Sequence, residues 1–198
     1  MTLLDDLLAQ PAFALIRGRE ADTVTLIGGP RIELEILADI PTSATAPGAW
    51  DHLVVLPFAQ IHERGFRAHQ DGAPLLAIRA DFQTELPLSE VVRLLPDEPV
   101  TFADKGGFET TDADYAEVVR TVINDEIGNG EGANVVIGRH YRARLNDWNH
   151  ATALTVFRRL LEAERGAYWT FFIFTGDRHL VGASPERHVS LDGGQLRM

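Results

Sequence analysis

Ala167-Tyr168-Trp169-Thr170-Phe171-Phe172-Ile173-Phe174, then Thr175-Gly176-Asp177-Arg178, then His179-Leu180-Val181 and Gly182-Ala183-Ser184-Pro185-Glu186-Arg187-His188, is the stretch that decides how this chain is organised. The first eight residues form an apolar, aromatic run of strand length. Thr-Gly-Asp-Arg is turn chemistry, and the residues after it return as a second strand. The whole predicts a buried hairpin. At its far end Ser184-Pro185 makes a rigid turn and delivers one carboxylate, Glu186, just past a strand. The elements upstream are candidates for the walls of a pocket around that carboxylate.

Directly before the hairpin, the spacing predicts a helix over residues 148–165, with Leu154, Phe157, Leu160 and Leu161 on one side and Gly166 ending it. Before that helix, Asn134-Val135-Val136-Ile137-Gly138-Arg139 reads as a short strand with a polar residue at its entrance. It follows the turn-rich Asn129-Gly130-Glu131-Gly132-Ala133. Further back, Thr111 with Asp114 marks a helix start of capping-box type. Tyr115, Val118, Val119, Val122 and Ile123 then form one apolar stripe, and Gly128 is placed to close the helix. This predicts a packing helix without chemistry of its own.

The first half is rich in strand signals. A short helix is predicted over 3–9, then strands over 13–16, 23–27 and 31–36, the last alternating apolar with charged residues. Gly28-Gly29-Pro30 reads as a turn. It lacks the Gly-x-Gly-x-x-Gly order of a phosphate loop, and no helix follows. A loop over 41–48, a buried strand over 51–58, a turn at 71–74, a strand over 75–80 and a helix from Ser89 to Leu95 complete this half. Strands first and helix–strand–helix–hairpin second make the fold class α+β. The organisation changes near residue 105, giving a strand-rich N-terminal subdomain over 1–105 and a second region over 106–198.

Bulk properties exclude several functions. At 198 residues the chain suffices for one well-buried domain or two small ones sharing a core. A net charge of -11 argues against a general nucleic-acid binder, which needs clustered Lys and Arg. No apolar run is long enough to span a membrane. The N-terminus carries Asp5 and Asp6 where a secretory signal carries bases. With no cysteine there is no disulfide, thiolate metal site or cysteine nucleophile, and a cytoplasmic protein is the simplest reading. The seven histidines lack ligand spacing, and His62-Glu63 lacks the second histidine of a zinc-binding His-Glu-x-x-His helix.

Taken in order, the helix, Gly130-Glu131-Gly132-Ala133-Asn134-Val135-Val136-Ile137-Gly138-Arg139, the second helix, the aromatic strand and Gly182-Ala183-Ser184-Pro185-Glu186 resemble the chorismate-utilising enzymes. That family includes anthranilate synthase component I and the aminodeoxychorismate, isochorismate and salicylate synthases. Within it, Gly130–Asn134 and Leu56-Pro57-Phe58-Ala59-Gln60-Ile61-His62-Glu63-Arg64-Gly65-Phe66 look like the phenazine-pathway subgroup. That subgroup makes 2-amino-2-desoxyisochorismate (ADIC). The Leu-Leu-Glu-Ser element of tryptophan-inhibited relatives is not evident. The resemblance implies the N-terminal part of the anthranilate synthase component I-like fold, with large, mostly antiparallel sheets and helices packed outside. Residues 106–198 would be the first part of its catalytic core.

The resemblance also implies roles. The family displaces the C4 hydroxyl of chorismate by adding a nucleophile at C2, and hydroxide needs a proton in order to leave. Glu186 matches the general acid, and burial against aromatic side chains would raise its pKa and keep it protonated. On turn chemistry alone, Glu186 would be a solvated surface acid. Asn134 stands where isochorismate and salicylate synthases place the lysine that activates water. An amide cannot serve as that base, whereas ammonia needs only orientation, so Asn134 favours an amine product. The alternative is an Asn that merely caps a strand after a glycine-rich turn. Family glutaminases use a cysteine, so ammonia must come from a glutamine amidotransferase domain or subunit outside these residues. Mg²⁺ is implied, with its glutamate ligands and the basic grips on chorismate expected beyond residue 198, after an Asn-Pro-Ile-x-Gly-Thr segment. The chain then reads as an N-terminal portion that does not turn over chorismate alone, and a homodimer is compatible with the resemblance. The product is ADIC, or anthranilate if pyruvate is expelled as well. A catalytically incomplete fragment with a structural or binding role is the remaining alternative.

Overall fold

Ala12-Phe13-Ala14-Leu15-Ile16 shows no alternation, and all five residues are buried. They form the middle of β1 (Ala12–Gly18), the central strand of a five-stranded antiparallel sheet covered on both faces. The computed structural model describes residues 3–42, 50–187 and 189–197. Most of the loop predicted over 41–48, and His188, lie outside the described residues.

In chain order, α1 (Leu3–Leu8) precedes β1, and β2 (Thr23–Gly29), β3 (Arg31–Leu34) and β4 (His52–Val55) follow. A 3-10 helix over Phe58–Arg64 leads to β5 (Leu75–Arg79), β6 (Phe82–Pro87) and α2 (Leu88–Leu94). Then come β7 (Gly107–Phe108), α3 (Asp112–Thr121) and β8 (Tyr141–Arg142). The chain finishes with α4 (His150–Ala163), β9 (Trp169–Phe174), β10 (His179–Ser184), β11 (Ser190–Asp192) and β12 (Gln195–Arg197). The architecture is α+β, with antiparallel strand pairings throughout. Among the described residues, no helix is long and apolar enough to cross a membrane.

The chain groups into two compact units, one running to Glu98 and resuming at His150, the other Pro99–Asn149. The units do not divide at residue 105, since β9 and β10 join the sheet of β1 and β2. In the first unit the sheet order is β10-β9-β1-β2-β6, and the predicted aromatic hairpin forms, with Phe172 opposite both Leu15 and Val181. On one face Phe13, Leu15, Val24, Leu26 and Phe172 cluster with Leu4 and Leu7 of α1, Val91 of α2 and Leu154, Phe157 and Leu161 of α4. On the other, Ala14, Ile16 and Ile27 meet Trp50 and Leu53, the latter on β4 of a three-stranded sheet ordered β3-β5-β4.

Gly28-Gly29 is not a free turn. Both residues continue β2, opposite Phe13 and Ala12. A Cβ on Gly29 would sit 2.2 Å from the Arg79 carbonyl oxygen, and one on Gly28 would sit 2.6 Å from Gln10 Cγ. At Gly29 the close approach of the Arg79 backbone demands glycine where the chain passes from one sheet to the next. The predicted buried strand over 51–58 is shorter, and β4 is only half-buried. β6 was not expected from sequence. Its polar residues suit an edge position, and Pro87 ends it there.

In the second unit, Thr111 caps α3 as predicted, accepting the Asp114 amide at 3.2 Å. The helix continues as a wider π-type turn over Val122–Ile127. The packing expected of its stripe is not present, because no residue of 99–149 is buried. Val118 and Ile123 are 43% and 54% exposed. The strand predicted over 134–139 does not form either. An extended run becomes a strand only with a ladder partner, and none is offered to it among the described residues. The ladder of this unit instead joins β7 to β8.

Candidate functional site

The hairpin positions Glu186 as the sequence suggested. β10 ends at Ser184, whose carbonyl accepts the Tyr168 amide at 2.7 Å. Ser184 Oγ donates to the Glu186 carbonyl at 3.0 Å and lies 3.5 Å from the Glu186 amide, which donates to it. This closes the Ser-Pro-Glu turn on itself. Arg187 fastens the next residue, its guanidinium carbon 4.8 Å above the Tyr168 ring. The rigid turn is therefore present, but the expected burial of Glu186 is not, and the residue is exposed. The chain leaves the sheet at Ser184, and two residues further on no layer of the described protein covers the carboxylate.

Behind the turn lies a solvent-facing cavity of about 340 Å³, lined by Ile16, Trp50, Leu53, Trp169 and Phe171 and reaching Ser184. Among the described residues its lining contains no Lys, Arg or His, so none of them would hold a dicarboxylate such as chorismate.

Asn134 lies in the other unit and is exposed. The segment that follows Asn134 is held by side chains instead of a ladder. Tyr115 Oη donates to the Ile137 carbonyl at 3.1 Å. Arg139 Nη2 donates to the Thr110 carbonyl at 2.7 Å and to Asp112 at 2.6 Å. Its guanidinium carbon lies 3.9 Å above Phe108 and 5.2 Å from the Tyr115 ring centroid. Sequence reasoning missed this clamp, because Tyr115 reads as one more stripe residue. The available signal was an aromatic on α3 and an arginine closing the Val-Val motif.

Among the described residues, no group of three or more His, Asp or Glu side chains could hold a metal ion. The described residues do not fit Mg²⁺.

Compared with known proteins, residues 43–198 match the family described as chorismate binding enzyme. The match extends over most of the sequence, and the chain belongs to that family. It is 45% identical over 193 residues to "Anthranilate synthase, phenazine specific" from Pseudomonas chlororaphis, covering 93% of this chain and 30% of that protein. It is 44% identical over 187 residues to the protein of the same name from Pseudomonas fluorescens, covering 92% and 29%. The chain thus spans about 30% of the length of these relatives.

Proposed function

We propose that these residues belong to a chorismate-utilising aminating synthase of phenazine-type metabolism, with ADIC as product. A C–N bond forms at C2 of chorismate and the C4–O bond breaks. Glu186 gives its proton to the departing hydroxide, which leaves as water, and the incoming ammonia sheds one proton. No oxidant is needed. Asn134 orients ammonia through its amide and cannot generate hydroxide. Glu186 needs cover that the described residues do not supply if it is to act as a desolvated acid. Mg²⁺ would supply charge for the substrate carboxylates from ligands outside these residues. Ammonia would come from a glutamine amidotransferase, since this chain has no cysteine nucleophile. The absence of cysteine also supports the reducing cytoplasm as its place.

The observation that carries this reading is asparagine, not lysine, at position 134 in a chain 45% identical to a phenazine-specific relative. The printed name of that relative favours one second reading, in which pyruvate is also expelled and anthranilate results. Protein spanning the relatives' full length, given chorismate, Mg²⁺ and ammonium, should yield a product of the mass of ADIC. Glu186→Gln should slow it by roughly 10²- to 10⁴-fold, the usual worth of a general acid. Anthranilate would select the second reading. Isochorismate, or an undiminished rate in E186Q, would overturn the proposal.

A further inference from the structure

His150 opens α4 and His179 opens β10, and the two imidazoles meet. His179 Nε2 lies 2.9 Å from His150 Nδ1. The rings stand edge to face, with centroids 4.9 Å apart at 83°. Phe174 stacks on His179 at 4.9 Å and meets His150 edge-on at 4.5 Å. Phe172 lies 5.6 Å from His179 and Phe13 5.9 Å from His150. The faces that β1 and β9 present in ring contact are thus uncharged phenyls. On the hairpin turn, Asp177 is engaged by Arg31 at 3.7 Å and by Thr175 at 2.7 Å. Farther along α4, Arg158 and Arg159 face Asp97, and Arg158 also meets Glu162. The charge of His150 bears on His179.

An N–H···N bond needs a proton on one nitrogen and a lone pair on the other. A neutral pair satisfies this. So does a singly charged one, with cationic His150 donating from Nδ1 to His179 Nε2. A second proton removes the last lone pair and sets two N–H groups against each other, at the positive end of the α4 dipole.

We propose that His150 and His179 form a proton-operated latch between the first turn of α4 and the start of β10. It is closed while the pair carries at most one extra proton and open when both imidazoles are charged. Desolvation against the phenyl rings, and secondarily the charge on His150, holds His179 below the usual imidazole range. The fold thus favours neutral His179. The latch contributes fully above roughly pH 6.5 and is lost as pH falls below that value. Acidification loosens the N-terminal end of α4 from the sheet.

The test is an NMR titration of the 198-residue chain from pH 8 to 5, following the imidazole resonances and the amides of Ala151 and Thr152. His179 should titrate below pH ~6.5, with the helix-end amides moving at the same midpoint. In His150→Gln the midpoint of His179 should rise, and the amides should stop responding, since glutamine still accepts from a protonated imidazole. The reciprocal His179→Gln should likewise silence the amides, which keeps the test open if one variant fails to fold. Amides indifferent to pH in the unsubstituted chain, or an unchanged response in both variants, would overturn the proposal.

Discussion

Replacing Phe172 with alanine separates two sources of order in this molecule. Phe172 is fully buried, with ring centroids 5.8 Å from both Phe13 and Phe157. It belongs to the cluster shared by β1, β2, β9 and α4, so the loss falls on all of them together. Phenylalanine-to-alanine changes in such settings cost about 3–5 kcal/mol, as transfer energy plus a residual cavity. The unit 99–149 differs in kind, because none of its residues is buried and its amides can open without disturbing that cluster. Native-state hydrogen exchange reads both at once. Amides of β1 and β2 should exchange only through opening of the whole sheet. At tenfold per 1.4 kcal/mol, F172A should accelerate them by about two to three and a half decades. Amides of α3, such as Val118 and Val119, should exchange fast in the unsubstituted chain and at the same rate in the variant. The reasoning fails if α3 is as protected as β1 before substitution, or if both units accelerate by one common factor.

Gly29→Ala forces a Cβ to 2.2 Å from a backbone oxygen of Arg79, and should lower stability by about 1–3 kcal/mol in urea unfolding. An unchanged midpoint would show that the corner can yield. Gly138→Ala meets nothing within 4 Å and serves as the neutral control. Glu164 accepts the amides of Arg165, Gly166 and Ala167 at 2.8, 2.6 and 2.9 Å where α4 hands over to β9. These bonds, that of Gly166 foremost, hold its carboxyl below the usual carboxylate range. A pKa depressed by folding gives stability that is present above the unfolded value of roughly 4.3 and lost as pH falls through the folded one. The Gly166 amide shift should therefore titrate below that value. E164Q should abolish the titration, and a midpoint at or above 4.3 would contradict the cause assigned.

Where a segment carries its own reason for a conformation, the sequence was a sufficient guide. Phe171 and Phe172 with Gly176-Asp177 specify a hairpin, and Thr111 with Asp114 specifies a helix start. Segments whose conformation depends on a distant partner were misread. Gln83, Thr84 and Glu85 carry little apolar signal, and they form a strand because β2 offers an edge. Val135 and Val136 have the residue preferences of a strand and lack the ladder. Gly28-Gly29 looks like a turn by composition, but Gly29 is glycine because the Arg79 backbone crowds it, and Gly28 because the Gln10 and Leu7 side chains do.

The same division governs the candidate site. The turn that presents Glu186 is local, built from Ser184 Oγ and the Glu186 backbone, and it was legible. The environment that would tune the carboxyl is not local, and residue identity cannot report it. The two proposed roles therefore stand on unequal physical ground. An amide at position 134 cannot itself serve as a water-activating base, whatever surrounds it. A carboxyl at position 186 becomes a useful acid only when desolvated, and here it is exposed. Specificity for an amine is thus the sturdier inference, and acid catalysis the one that hangs on what comes to cover Glu186. Carbodiimide labelling of Glu186 in the 198-residue chain, and again in protein spanning the relatives' full length, separates the two. Protection confined to the longer protein would locate the missing environment. Equal labelling in both would remove Glu186 as the acid and leave the Asn134 argument untouched.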